Sequence, residues 1–252
     1  MTLNTAERDV YNAVKEFSRL VYSGGGWGQS MAEQTAYRYA ASCIPAAIEY
    51  MLARLESHAG WDLNGEVDED FLEEVAGPSP VPVSGVDRLR AALKYDADRD
   101  GDSKLEALVR ALESIWSDDD EAKRPRRKIV LFSFFRRTLS YLSRRLSRLS
   151  ITHERIDGGV PLPEREVRIA QFLGSTGCSL LLSSEVGGEG LDLQSASVIV
   201  NYDLPWNPMV VEQRIGRVDR IGQASDRIVI LNLVCDGTVE DAILHRLYQR
   251  IH

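Results

Sequence analysis

What the chain lacks narrows it first. No run of about 20 apolar residues occurs anywhere in its 252, so no membrane-spanning helix is expected. The opening "MTLNTAERDVYNAV" has neither the basic start nor the apolar stretch of a secretory signal, and the expected location is the cytoplasm. Cysteine is scarce. Cys43, Cys178 and Cys235 are odd in number and far apart, which predicts neither a disulfide framework nor a metal-ligand pattern. Two nucleotide-handling signatures are missing as well. The phosphate cradle G-x-x-x-x-G-K-[ST] is absent, since "SGGGWGQS" (23–30) carries no lysine. No strand ends in a D-E-x-H or D-E-A-D acid pair, because "DEDF" (68–71) sits in an acidic, proline-bearing stretch.

Charge is unevenly spread. The net charge of −8 argues against a simple nucleic-acid-coating protein. Residues 56–121 hold "EVDEDFLEE", "DADRDGD" and "SDDDE". From Lys123 to Ser150 there is no acid, while Lys123, Arg124, Arg126, Arg127, Lys128, Arg136, Arg137, Arg144, Arg145 and Arg148 crowd together. Such a block suits a polyanion, or it is a solvated face balancing the acidic region; charge alone does not choose. "DADRDGDSKLEA" opens like a calcium-binding loop, but the bidentate acid needed at its twelfth position is Ala107, and an acidic turn before a helix is the better reading. "AKRPRRK" (122–128) matches a nuclear import signal only as short basic runs commonly do.

Periodicity divides the chain into zones. Residues 1–59 read as helices, interrupted by "SGGGWG" and near Pro45, where Ser42 is placed to begin a new helix. Residues 60–85, rich in proline, glycine and acids, read as a flexible excursion. Residues 86–127 read as a helix, with Leu105, Leu108, Leu112 and Ile115 at core spacing, and a linker. From 128 to 252 strands alternate with helices. "KIVLFSF", "ITHERID", "CSLLLSS", "SVIVNY" and "RIVILNLVC" are the strands, and a helix with Phe135, Leu139, Leu142, Leu146 and Leu149 on one stripe follows the first. This alternation predicts an α/β fold with a parallel sheet covered on both faces.

The segment "VEQRIGRVDRIGQ" (211–223) stands out. At about 100° per residue, a helix here gathers Val211, Ile215 and Val218 on one stripe. Gln213, Gly216, Arg217 and Arg220 then share the opposite face. Arginine grips phosphate or carboxylate with two parallel bonds, and glycine lets a ligand approach the backbone. Just before it, "EVGGEGLD" (185–192) follows a strand, where ligands of open parallel sheets gather.

Taken in order, these segments resemble the second RecA-like (P-loop NTPase-type) lobe of superfamily 2 helicases, specifically the Swi/Snf-type ATPases. "KIVLFSFF" resembles motif IV, and "IDGGVPLPEREVRIAQF" the segment after it. "LLSSEVGGEGLDLQSASVIVNYDLPWNP" resembles motif V and "EQRIGRVDRIGQ" motif VI. "SSE" and "DLP" are closest to the RNA-polymerase-recycling ATPase RapA and its relatives, and "LNTAERDVYNAV" and "DSKLEALVRAL" are similar to segments preceding this lobe. The expected fold is therefore a RecA-like helicase C-terminal lobe behind a helical N-terminal extension.

The resemblance implies roles. Arg217 and Arg220 would reach across a cleft to nucleotide phosphates as arginine fingers, with Gln213, Gly188, Glu189, Gly190 and Asp192 also at the nucleotide. Ser133, Phe134, Arg136, Gly158, Gly159, Ser184 and Glu185 would line the nucleic-acid groove, although many Swi/Snf relatives carry lysine at the position of Glu185. Trp206 and Asn207 match a "WNP" element read as packing. The implied ligands are ATP with Mg²⁺, bound mainly by a first RecA-like lobe from the same parent chain or a split partner, and double-stranded DNA. This chain alone is expected to be inactive, and its setting the bacterial nucleoid. The residues do not choose among RNA polymerase, another DNA-bound complex and a phage-defence complex as the object remodelled. The alternative is a nucleic-acid-binding module without ATPase function, resting on the basic block.

Overall fold

The computed structural model describes residues 1–21, 27–57, 86–174, 178–185, 193–220, 222–223 and 225–251. The excursion at 60–85 and the glycine-rich stretch 186–192 lie outside them. Among the described residues six helices come first: Thr5–Val21 (α1), Trp27–Ser42 (α2), Ile44–Ser57 (α3), Val86–Ala92 (α4), Ala97–Asp100 (α5) and Ser103–Glu121 (α6). Strands and helices then alternate: Lys128–Phe132 (β1), Arg136–Arg148 (α7), Glu154–Ile156 (β2), Leu162–Leu173 (α8), Leu180–Ser183 (β3), Ala196–Asn201 (β4), Pro208–Val218 (α9), Val229–Asn232 (β5) and Val239–Ile251 (α10). None of these helices is long and apolar enough to cross a membrane.

All five strands pair in parallel in the order β2-β3-β1-β4-β5. β1 is central, with Ile129 opposite both Leu180 of β3 and Val198 of β4. Its side chains alternate between faces, so each face needs its own cover. Ile129 and Leu131 join Leu139, Leu142 and Leu146 of α7 and the apolar stripes of α1, α2, α3 and α6 in one core. Val130 and Phe132 meet Phe172 of α8 and Val218 of α9 on the other side. The N-terminal helices are thus one layer of the α/β fold rather than an appendage, since Val10, Val14, Phe17, Tyr39 and Met51 share their core with the strands.

Local chemistry explains the boundaries. Asp102 caps α6, its carboxylate accepting from the Leu105 amide at 3.0 Å and also from the Tyr141 hydroxyl at 2.6 Å. Lys104, buried in the first turn of α6, donates to Oε1 and Oε2 of Glu240 at 2.8 and 2.7 Å and to the Ala41 carbonyl at 3.1 Å. One ammonium therefore ties α6, α10 and α2 together. Two expectations change. Ser42 does not start a helix; it ends α2, Cys43 is the break, and its hydroxyl donates to Asp203 at 2.8 Å. Leu149 is not on the buried stripe of α7, because the helix stops at Arg148 and leaves it 51% exposed.

Candidate functional site

The carboxyl ends of the strands face one edge of the sheet, where connections cannot pair with a neighbour and ligands collect. Ser133 and Phe134 follow β1, Asp157 to Gly159 follow β2, Ser184 and Glu185 follow β3, and Asp203 to Pro208 lead from β4 into α9. Asn207 caps α9 by accepting from the Met209 amide at 3.0 Å, and Pro208 fills the first turn, where a missing N–H costs nothing. Trp206 is half-buried between the guanidiniums of Arg38 and Arg246, 5.8 and 5.7 Å from its ring, which fits a packing role.

α9 is rotated from the expected setting. Its buried line is Val210, Arg214 and Val218, while Val211 and Ile215 are only half-covered. The outward face does carry Gln213 and Gly216 exposed and Arg217 half-exposed, but α9 ends at Val218, so Arg220 stands exposed in the turn beyond the helix rather than on its face. A side chain added at Gly216 would meet nothing within 4 Å, so the glycine leaves open space above the helix. Arg217 Nη1 donates to the Glu185 carbonyl at 3.1 Å, and Arg220 Nε turns back to the Gly216 carbonyl at 3.1 Å.

Arg214 is the functional-edge residue that periodicity missed. It is fully buried, which is tolerable only if every N–H of the guanidinium is met. Nε donates to Glu185 Oε1 at 2.8 Å and Nη2 closes on the same oxygen. Nη1 donates to Asn201 Oδ1 at 2.6 Å and to the Asp203 carbonyl at 3.4 Å, with the Phe132 ring 5.1 Å from the guanidinium. The signal was available in Glu185: an acid directly after a wholly buried strand needs a cation.

The groove residues implied by resemblance divide. Glu185 is 5% exposed with its carboxylate on Arg214, so it does not present that group to a groove. Ser133 is fully covered and donates to Asp203 Oδ2 at 2.6 Å. Ser184 is also fully covered, its amide donating to the Ile156 carbonyl at 3.1 Å. Phe134 is half-buried, its amide on Asp203 Oδ1 at 2.8 Å and its ring 4.7 Å from the Arg38 guanidinium. Burial pulls Arg38 down to about 10. Arg136, Gly158 and Gly159 do reach the surface together. Arg136 Nε lies 3.6 Å from Asp157 Oδ1, and a Cβ on Gly159 would fall 2.0 Å from Arg136 Nη2, so a side chain there would make the guanidinium move aside. Gly188, Glu189, Gly190 and Asp192 lie outside the described residues.

The basic block carries its own counter-charges. Arg124 and Arg127 both reach buried Asp119, at 2.7 and 2.8 Å, and Arg126 meets Asp120 at 2.9 Å. Arg145 and Arg148 flank Asp98, and Arg144 pairs with Glu49. Lys128 donates to the Phe172 carbonyl in the last turn of α8 and, at 2.8 Å, to the carbonyl of Gly174, which caps that helix. Asp96 and Asp102, from the stretch that opens like a calcium loop, cap helices instead. Among the described residues no group of three or more histidine, cysteine or acidic side chains could hold a metal ion.

Sheet order and covering helices give the RecA-like α/β fold of the C-terminal part of the Fun30 ATPase domain. Residues 103–222 match the helicase conserved C-terminal domain. A Bacillus subtilis protein named uncharacterized ATP-dependent helicase YqhH is 40% identical over 125 residues, covering 50% of this chain and 22% of that protein. DNA repair and recombination protein RAD54B of Mus musculus is 35% identical over 156 residues, covering 61% and 17%. The CHD3-type chromatin-remodeling factor CHR7 of Arabidopsis thaliana is 35% identical over 119 residues, covering 46% and 10%. The crystal structure of the C-terminal part of the Fun30 ATPase domain superposes with a TM-score of 0.61 at 21% identity, over 98% of this chain and 86% of that one. The chain thus carries a helicase C-terminal domain with homologues among Swi/Snf-type ATP-dependent helicases, and spans about a fifth or less of these three curated relatives.

Proposed function

We propose that this chain is the second motor lobe of an ATP-driven translocase on double-stranded DNA, supplying arginine fingers to a nucleotide held mainly by a first RecA-like lobe. The observation that carries the reading is one outward surface shared by α9 and the turn after it, where Gln213, Gly216 and Arg220 are exposed and Arg217 is half-covered. Two guanidiniums there suit a triphosphate approached from outside, because they match the charge that builds as the terminal phosphoryl group leaves. Mg²⁺ would come with the nucleotide. Arg136 with Gly158 and Gly159 would contribute to the DNA groove, their shared exposure being consistent with a backbone-tracking contact. The plain binding-module alternative loses its main support, since much of the basic block is neutralised from within the chain. Likeness to RNA-polymerase recycling rests on "SSE", "DLP" and the "EQRIGR" segment, and the remodelled object follows from it no further.

In the assembled two-lobe protein, Arg217→Ala or Arg220→Ala is expected to lower DNA-stimulated ATP turnover by roughly 10²-fold or more, with DNA affinity changed far less. The chain alone should hydrolyse ATP negligibly. Normal turnover with lost DNA binding in both arginine variants would move these residues from nucleotide to DNA and sink the reading.

A further inference from the structure

Arg217, one of the candidate nucleotide arginines, and the turn after β1 are joined by a line of polar contacts whose middle is buried. It begins at the Phe134 amide and the Ser133 hydroxyl, both donating to the Asp203 carboxylate at 2.8 and 2.6 Å. The Asp203 carbonyl accepts from Arg214, whose guanidinium also holds Asn201 Oδ1. Arg214 then grips the Glu185 carboxylate, and the Glu185 carbonyl receives Arg217. Ser133, Asp203, Arg214 and Glu185 are all 5% exposed or less. Water cannot replace a bond lost inside such a line, so each member's position constrains the next.

We infer that Asp203, Arg214 and Glu185 are positioning residues that couple the turn at Ser133–Arg136 to the setting of Arg217. This rests on the motor reading, in which that turn lies along DNA and Arg217 meets nucleotide. A displacement of the turn would pull on Asp203. Asp203 and Asn201 hold Arg214, and Arg214 sits one helical step from Arg217 with Glu185 bridging the two. DNA engagement and arginine placement then become one event rather than two. Asn201 Nδ2 also donates to Asn232 Oδ1 at 2.7 Å, which extends the bracing to β5.

Two measurements test this separately from the motor reading. In the full 252-residue chain, Glu185→Gln should speed hydrogen exchange of the Phe134 amide, which is bonded to Asp203, by about tenfold or more. The Val130 amide in the strand interior should stay protected. If the glutamine variant loses protection everywhere, Glu185→Asp, which keeps the charge and shortens the reach, takes its place. Unchanged exchange at Phe134 in a folded variant overturns the relay. In the two-lobe protein, Asp203→Asn should lower the ratio of DNA-stimulated to basal ATP turnover by roughly threefold or more, with DNA affinity retained. An unchanged ratio overturns the coupling role alone. Absence of any turnover in the unaltered two-lobe protein overturns the motor reading and the coupling with it, and leaves the exchange result to decide whether the contacts act as one unit.

Discussion

Arginine is put to opposite uses in two regions of this molecule. Around α6 and α7, cations meet acids at the surface: Arg148 and Asp98 are both more than half exposed, as are Arg126 and Asp120. Around α9, Arg214 is wholly enclosed with Glu185, while Arg220, in the turn beyond the helix, is exposed and donates to the Gly216 carbonyl. Density of charge in the sequence therefore says little about where a ligand binds. What distinguishes the regions is the source of the counter-charge. The first finds it within the chain, whereas the open space above Gly216, beside exposed Arg220, leaves room for a ligand to approach.

Three substitutions sharpen or break that contrast. The largest effect on stability is expected at Arg214. Its replacement by alanine strands the Glu185 carboxylate in the interior, and urea unfolding should show a loss of about 3–5 kcal/mol. A loss below about 1 kcal/mol would mean that the pair is not an enclosed one. Asp119 should come next. It is fully covered and accepts from Arg124, from the Arg127 side chain and from the Arg127 amide, so Asp119→Ala should cost about 1–3 kcal/mol in the same assay. Arg148→Ala should be the mildest, within about 0.5 kcal/mol, because an exposed pair is screened and mobile. Its effect on DNA affinity, read by a binding titration across salt concentrations, should be small. A marked fall in affinity and in salt dependence would return the basic block to consideration as a nucleic-acid face.

Much of the fold was legible from local pattern. The apolar runs of β1, β3 and β4 read as strands buried in a two-faced sheet, whereas the edge strands β2, with Glu154 and Arg155, and β5, largely exposed, were readable from the strand–helix alternation. The stripe Leu105, Leu108 and Leu112 placed α6 on a core, and "WNP" before the arginine segment contained both the cap and the first-turn proline of α9. These features depend on neighbours within a few residues, which is why sequence alone determined them. Tertiary structure decided the rest. Arg214, Arg217 and Arg220 are equivalent in spacing, yet one is buried, one half-covered and one exposed, because the helix turned its Val210 side toward the sheet and Glu185 came from 29 positions earlier. The N-terminal helices merged with the sheet's core because apolar faces more than 70 residues apart in sequence closed on each other. The basic block found Glu49 and Asp98, 95 and 47 positions away. Burial and ion pairing are properties of what the fold brings near, and no window along the chain contains that distance.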